Sequence, residues 1–410
     1  MHGLLALYPF VDPQENEKII LPQKINGQWI RVEYQFEKID ISPQTGLLAK
    51  WLEDKDRIYA YGLRPSTDAH PDAESHLLLM GTTYPTGQGA ALGNIYNFLP
   101  GNSVGEGHDT THLDAWIKNQ AGKVKVSGQS KGATMAMITA VRHPNKVSEA
   151  HCLNPTALNL RTLNRLERQW DSLAQKPQIN IYDQNYDPVF PLENGFLKDV
   201  NIYKIYPDKT DISSYFRYMP SFMQRAYEAH IHNFAGRESA LVLRGSIHRE
   251  NISRKREFFG DMKEGINVVI FPLGYLHLYT KLRTRHWHAA FKKPIVAAES
   301  ILNKVLCVAL LPPIMLLSAI ISGVKTLGRM ITNSHYDYQK ATSPVPLPFA
   351  GGSPYKLLHK HKAKTGKSQY MILKDDQDAS INPAQASPVL NDHKINLGVK
   401  SEAISSLRPR

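Results

Sequence analysis

Val124–Ala136 reads VKVSGQSKGATMA, and this stretch limits the possible folds more than any other. Val124–Ser127 is short, alternating and β-branched, as a strand requires. Ala133–Val141 is rich in small residues and Met, as a buried helix requires. Between them stands Ser130, with Gly128 two positions before it and Gly132 two positions after. A serine at so abrupt a strand-to-helix junction fits the G-x-S-x-G elbow, where only glycine lets the two backbones approach. Three fixed residues recur by chance in many chains, so the surroundings must decide what this serine does.

Those surroundings alternate. Ile19–Leu21 and Trp29–Phe36 flank PQKING and read as a β-hairpin, followed by strands at Ile58–Leu63 and His76–Met80. His112–Gln120 has helical patterning and leads into the Val124 strand. Beyond the elbow come a strand at Glu149–Leu153, a helix over Leu158–Leu173, and strands at Gln178–Tyr182 and Val200–Ile205. Strands alternating with helices predict an α/β fold, with a mainly parallel central sheet covered by helices on both faces. Ser130 would then sit at the carboxyl end of a central strand, where such sheets place ligands.

A serine hydroxyl becomes a useful nucleophile only when a base takes its proton and an acid orients that base. In elbow-bearing α/β sheets the chain order is Ser, then Asp or Glu, then His, each on a loop after a strand. The sequence supplies that order. After Gln178–Tyr182 comes DQNYDPVFPLENG, offering Asp183 and Asp187; after Val200–Ile205 a long stretch ends in RAYEAHIHNFAG, offering His230 and His232.

With these residues in place, Leu77–Gly236 resembles the class 3 lipases, the fungal triacylglycerol-lipase type within the α/β-hydrolase superfamily. The family carries its acid in an N-x-x-D-P-V-P segment, which Asn185–Pro191, NYDPVFP, resembles with one residue inserted; this favours Asp187. Ala229–Phe234, AHIHNF, is similar to the family's histidine segment and favours His230, with His232 the alternative. LLLMGTT places Thr82 where the family has one oxyanion-hole donor, and Lys131 follows the nucleophile where the second would be. The resemblance implies a Ser130–Asp187–His230 triad cleaving carboxylic esters of lipids through an acyl-enzyme, without a cofactor. Two further readings stay open: an acyltransferase or thioesterase using the same triad, and a membrane-associated scaffold retaining the fold without turnover.

The rest of the chain differs in character, and three regions are expected: a catalytic domain over 1–240, a basic and apolar helical segment over 241–340, and a polar, disordered tail over 341–410. The net charge of +12 is concentrated, with twelve Lys and Arg against five Asp and Glu between Arg237 and Lys293. Val305–Val324 carries no charge and has Pro312–Pro313 near its middle, which suits two short helices dipping into a bilayer better than one crossing. Membrane association through 294–328 and the basic stretch 237–293 is therefore expected, a buried helix pair being the alternative. Nucleic-acid binding has only charge in its favour, with no recognised module, and is not expected. The paired histidines of GHDTTH, His108 and His112, have metal-like spacing but lack a glutamate base and a third ligand, so no metal site is assigned. Cys152 and Cys307 imply no disulfide framework. MHGLLALYPFVDPQENEK has no basic n-region and its apolar run stops at Pro9, so no signal peptide is read. A basic tail without a leader would suit a protein injected by a bacterium into a host cell.

Overall fold

The computed structural model describes residues 5–6, 8–66, 68–83, 87–184, 187, 195–197, 199–206, 230, 242–246, 254–291, 294–295, 298, 301, 305, 309, 311–332, 355–362 and 368–374. His232, the second histidine of AHIHNF, and Cys307 lie outside them. Nine strands form one sheet in sequential order. They are β1 (Lys18–Ile25), β2 (Gln28–Asp40), β3 (Tyr59–Pro65), β4 (Ser75–Leu79), β5 (Val124–Gln129), β6 (Val147–Leu153), β7 (Gln178–Gln184), β8 (Asn201–Tyr206) and β9 (Val242–Ser246). The hairpin read around Asn26–Gly27 is present, with Ile25 opposite Gln28 and both turn residues at positive φ. β1 to β4 pair antiparallel, β4 to β8 parallel, and β9 antiparallel to β8. The sheet is thus parallel through its centre and antiparallel at both edges.

Four helices cross over between the parallel strands: α1 (Ala90–Tyr96), α2 (Thr111–Lys118), α3 (Lys131–Arg142) and α4 (Leu160–Asp171). Among the described residues these four helices cover one face of the sheet, and helical Leu5 with the 3-10 turn Tyr8–Val11 packs on the other. Leu77 and Leu79 of β4, Val124 and Val126 of β5, Ala150 and Cys152 of β6, and Ile179 and Ile181 of β7 share one apolar core with all four. The reason is topological: the strand order never reverses, and right-handed crossovers in one direction all return over the same side. The opposite face is apolar only near β1–β4, where Leu5, Tyr8 and Leu21 pack with Tyr34, Phe36, Tyr61 and Leu63. Farther along it turns polar, with Ser127, His151 and Asn180 buried.

After the sheet come α5 (Arg254–Arg283), α6 (Arg285–Ala290) and α7 (Leu311–Thr332). α5 joins the main core through Leu278 and Leu282, and Glu264 accepts the Gly101 amide at 2.5 Å. α7 is continuous. Pro312 and Pro313 lie in its first turn as described, and residues 294, 295, 298, 301, 305 and 309 before it are helical as well. Part of the segment read as a disordered tail is a strand pair, β10 (Tyr355–Lys362) antiparallel to β11 (Ser368–Lys374).

Candidate active site

Ser130 lies between the end of β5 and the start of α3, with φ 55 and ψ −123. Positive φ is uncommon for a residue with a Cβ and costs on the order of 1–3 kcal/mol, so the surroundings must impose it. The two flanking glycines show how. A Cβ on Gly128 would lie 2.3 Å from the Gly132 carbonyl oxygen, and one on Gly132 would lie 2.0 Å from the Leu79 carbonyl oxygen. β4, β5 and α3 therefore meet backbone to backbone. The Ser130 amide donates to the Leu153 carbonyl of β6 at 2.9 Å, which fixes the elbow to its other neighbour.

The hydroxyl so presented has a partner. His230 Nε2 is 2.9 Å from Ser130 Oγ, and His230 Nδ1 is 3.0 and 3.1 Å from the two Asp187 carboxylate oxygens. The Asp187 side chain is fully buried and the His230 side chain 15% exposed. With Asp187 accepting at Nδ1, the neutral imidazole carries its proton there and leaves Nε2 free to accept from Ser130. Asp183, the other candidate acid, stays inside β7 and is buried. Three residues far apart in sequence thus stand in one hydrogen-bonded line.

Sequence reasoning missed the residue that holds the histidine backbone. Gln129 Nε2 donates to the His230 carbonyl at 2.9 Å. Its own room is guaranteed by Gly81, where a Cβ would fall 2.5 Å from Gln129 Oε1. The variable position of G-x-S-x-G carries no sequence signal, so only a close backbone at Gly81 could have hinted at it.

Thr82 follows Gly81 after β4, and its Oγ1 accepts from Asn97 Nδ2 at 3.1 Å. Lys131 is the first residue of α3, so its amide has no intrahelical acceptor. The Lys131 side chain runs back into the protein and is 2% exposed. Its Nζ lies where a Cβ on Gly93 of α1 would come within 2.8 Å, and loss of solvent lowers its pKa to about 8. His108 is buried edge-on to Tyr96 at a ring separation of 5.4 Å. Burial, and then the Lys131 charge, keep it well below the ordinary histidine range. His112 is on α2 and exposed, so the GHDTTH histidines do not converge. Among the described residues no His, Cys, Asp and Glu group could hold a metal ion.

A serine, a histidine and a buried carboxylate in line at the carboxyl end of a central parallel strand define the geometry of a nucleophilic serine site on an α/β sheet. Comparison with known proteins adds little to that. No family model and no curated protein matches the sequence. Among solved structures, a triacylglycerol lipase from Penicillium expansum aligns at a TM-score of 0.27 with 12% identity, over 50% of this chain and 76% of that one. A structure from a study of two fungal esterases from Rhizomucor miehei aligns at 0.16 with 10% identity, over 55% of this chain and 87% of that one. Likenesses so loose carry no assignment, and the functional reading rests on this chain's own residues.

Proposed function

We propose that the chain is a serine hydrolase that cleaves carboxylic esters of lipids through an acyl-enzyme. The observation that carries the reading is the line from Ser130 Oγ through His230 to Asp187. Ser130 Oγ attacks the ester carbonyl carbon as its proton passes to His230 Nε2. Asp187 accepts a hydrogen bond from Nδ1–H throughout, without taking the proton, and stabilises the imidazolium. The carbonyl oxygen becomes an oxyanion, which the amides of Thr82 and Lys131 receive. The C–O bond to the leaving alcohol then breaks, and His230 returns the proton to that alcohol. Water repeats the sequence on the acyl-serine, losing its proton to His230 and releasing a carboxylic acid.

The strain at Ser130 favours chemistry over a scaffold without turnover. A binding protein gains nothing from a non-glycine residue held at φ 55, whereas an exposed nucleophile needs that turn. Transfer of the acyl group to another alcohol or thiol follows the same steps, with a different second nucleophile. The test uses the full chain and a fluorophosphonate, which phosphonylates only an activated serine, with loss of fluoride. Ser130 should be labelled, and Ser130→Ala should lose labelling and lower kcat on short nitrophenyl esters by about 10⁶. Turnover unchanged in Ser130→Ala would refute the assignment. Product analysis with water alone and with glycerol present separates hydrolysis from acyl transfer.

A further inference from the structure

We infer that α5 and α7 form a helical hairpin whose outer helix beds into one leaflet of an anionic membrane. The evidence is the way α7 packs. Its small and polar residues face the protein: Ser318 is 3% exposed and Ser322 fully buried. Ser322 Oγ donates to the Phe258 carbonyl at 2.5 Å, and a Cβ on Gly265 would lie 2.8 Å from Ser318 Oγ. Since 258 meets 322 and 265 meets 318, the helices run antiparallel and come closest at a glycine. Its large residues face outward. Leu316, Leu317, Ile320, Val324, Leu327 and Ile331 are each at least 56% exposed. In an ideal helix these six fall within an arc of about 100°.

A helix docked on a protein in water shows the reverse pattern, because burial of aliphatic side chains is what drives docking. Small and hydroxyl residues at the seam with aliphatics outside is the pattern of helices packed within lipid. Charge agrees with lipid rather than with an apolar protein partner. α7 is uncharged from Leu311 to Val324, after which Lys325 is exposed; Lys281 and Arg283 end α5, exposed, and Trp287 and Phe291 follow at 59% and 63% exposure. Basic residues with Trp at the margin of an apolar face match an anionic headgroup layer. Among the described residues no helix is long and apolar enough to cross a membrane, which suits a helix lying in the plane of one leaflet. The helix that packs against α7 is α5, so the hairpin proposed here pairs α7 with α5 and not with the residues just before Pro312.

The hairpin also adjoins the candidate active site. Phe271 of α5 stacks on Tyr96 at 6.4 Å, and Gly274 lies against Ile95. The next residue, Asn97, is the one that holds Thr82. An enzyme bedded through α7 would therefore meet acyl lipids resident in the membrane. That substrate class rests on the hydrolase reading, whereas membrane attachment does not.

Flotation of the full-chain Ser130→Ala protein with vesicles tests attachment without any lipid being consumed. It should float with phosphatidylcholine–phosphatidylglycerol vesicles and less with phosphatidylcholine alone. Adding Ile320→Glu and Val324→Glu should lower the floated fraction by about tenfold or more. The same two substitutions in the chain with Ser130 intact replace exposed residues, so turnover of a soluble ester should persist and report the fold. Failure of the parent protein to float, or equal flotation of the double variant, would overturn the inference. So would a dimer that the double variant splits while neither protein floats, because a second copy would then cover α7. Absence of ester turnover with flotation intact would refute the hydrolase reading and leave the membrane surface standing.

Discussion

Ser130, His230 and Asp187 meet at the carboxyl end of β5, yet the least conspicuous contributor is Gln129. It is 4% exposed and points from the elbow to the His230 carbonyl. Removing that donor should leave the histidine ring free to drift by a fraction of an ångström, enough to cost about 10–100-fold in rate. Gln129→Leu is therefore expected to lower kcat with little change in KM, while a fluorophosphonate still labels Ser130 slowly. Unaltered kcat would mean that the backbone around 230 needs no such tether. At this scale the sequence was informative where order and chemistry constrain residues together. Ser130, Asp187 and His230, which the structure brings into hydrogen-bonding distance, could be singled out because a triad's nucleophile, acid and base would follow one another after successive strands. Gln129 could not, because its function depends on a carbonyl a hundred residues away, and no local pattern records such a contact.

Elements show the same division. The elbow was predictable because two glycines carry its geometry, and the structure gives each a measurable consequence. An added Cβ at 132 would face the Leu79 carbonyl group, its oxygen at 2.0 Å and its carbon at 2.6 Å, and neither backbone atom can move without opening the β4–β5 pairing. Gly132→Ala should thus destabilise the protein by ~4 kcal/mol or more, seen as a large fall in the urea midpoint; a loss under ~1 kcal/mol would contradict the close approach. The C-terminal helices were harder to read. A proline pair in an uncharged run looks like a break, and the described residues on both sides of it are helical. The partner of α7 was hidden in a region whose charge count drew attention to its ends. Between Lys263 and Lys281 the only Asp, Glu, Lys or Arg is Glu264. Net charge averages over a segment, whereas packing depends on which face of a helix each residue occupies.

For the whole molecule, strand order was the quantity that composition and periodicity could not supply. Alternating strands and helices fit a sheet covered on one face as well as on two, since each crossover alone has the same handedness. Sequential order leaves one face of β4–β7 without the four crossover helices, and that face buries polar groups. His76 is 1% exposed and edge-on to Tyr34 at 5.2 Å, and neither ring nitrogen has a hydrogen-bond partner among the described residues. The groups acting on it are Lys125 and His151, which oppose its protonation, and Glu149, which favours it. Glu149 is itself held down to about 2, first by its hydrogen bond from His151. Loss of solvent is the largest influence on His76 and lowers its pKa to about 3. The sign of the linkage follows. As pH falls below about 6.5, the unfolded chain binds a proton at His76 that the folded chain refuses until about 3, so stability declines through that window. The decline from this residue is at most about 5 kcal/mol. His76→Phe keeps an aromatic edge for Tyr34 and removes the titration. Its unfolding free energy should therefore fall less steeply than that of the parent between pH 6.5 and 4, with part of what slope remains coming from His108 and His151 and, below about 4.5, from Glu149. Parallel stability curves for the two proteins over that range would show that His76 takes up its proton in the folded state, and that this face of the sheet is wetter than its burial implies.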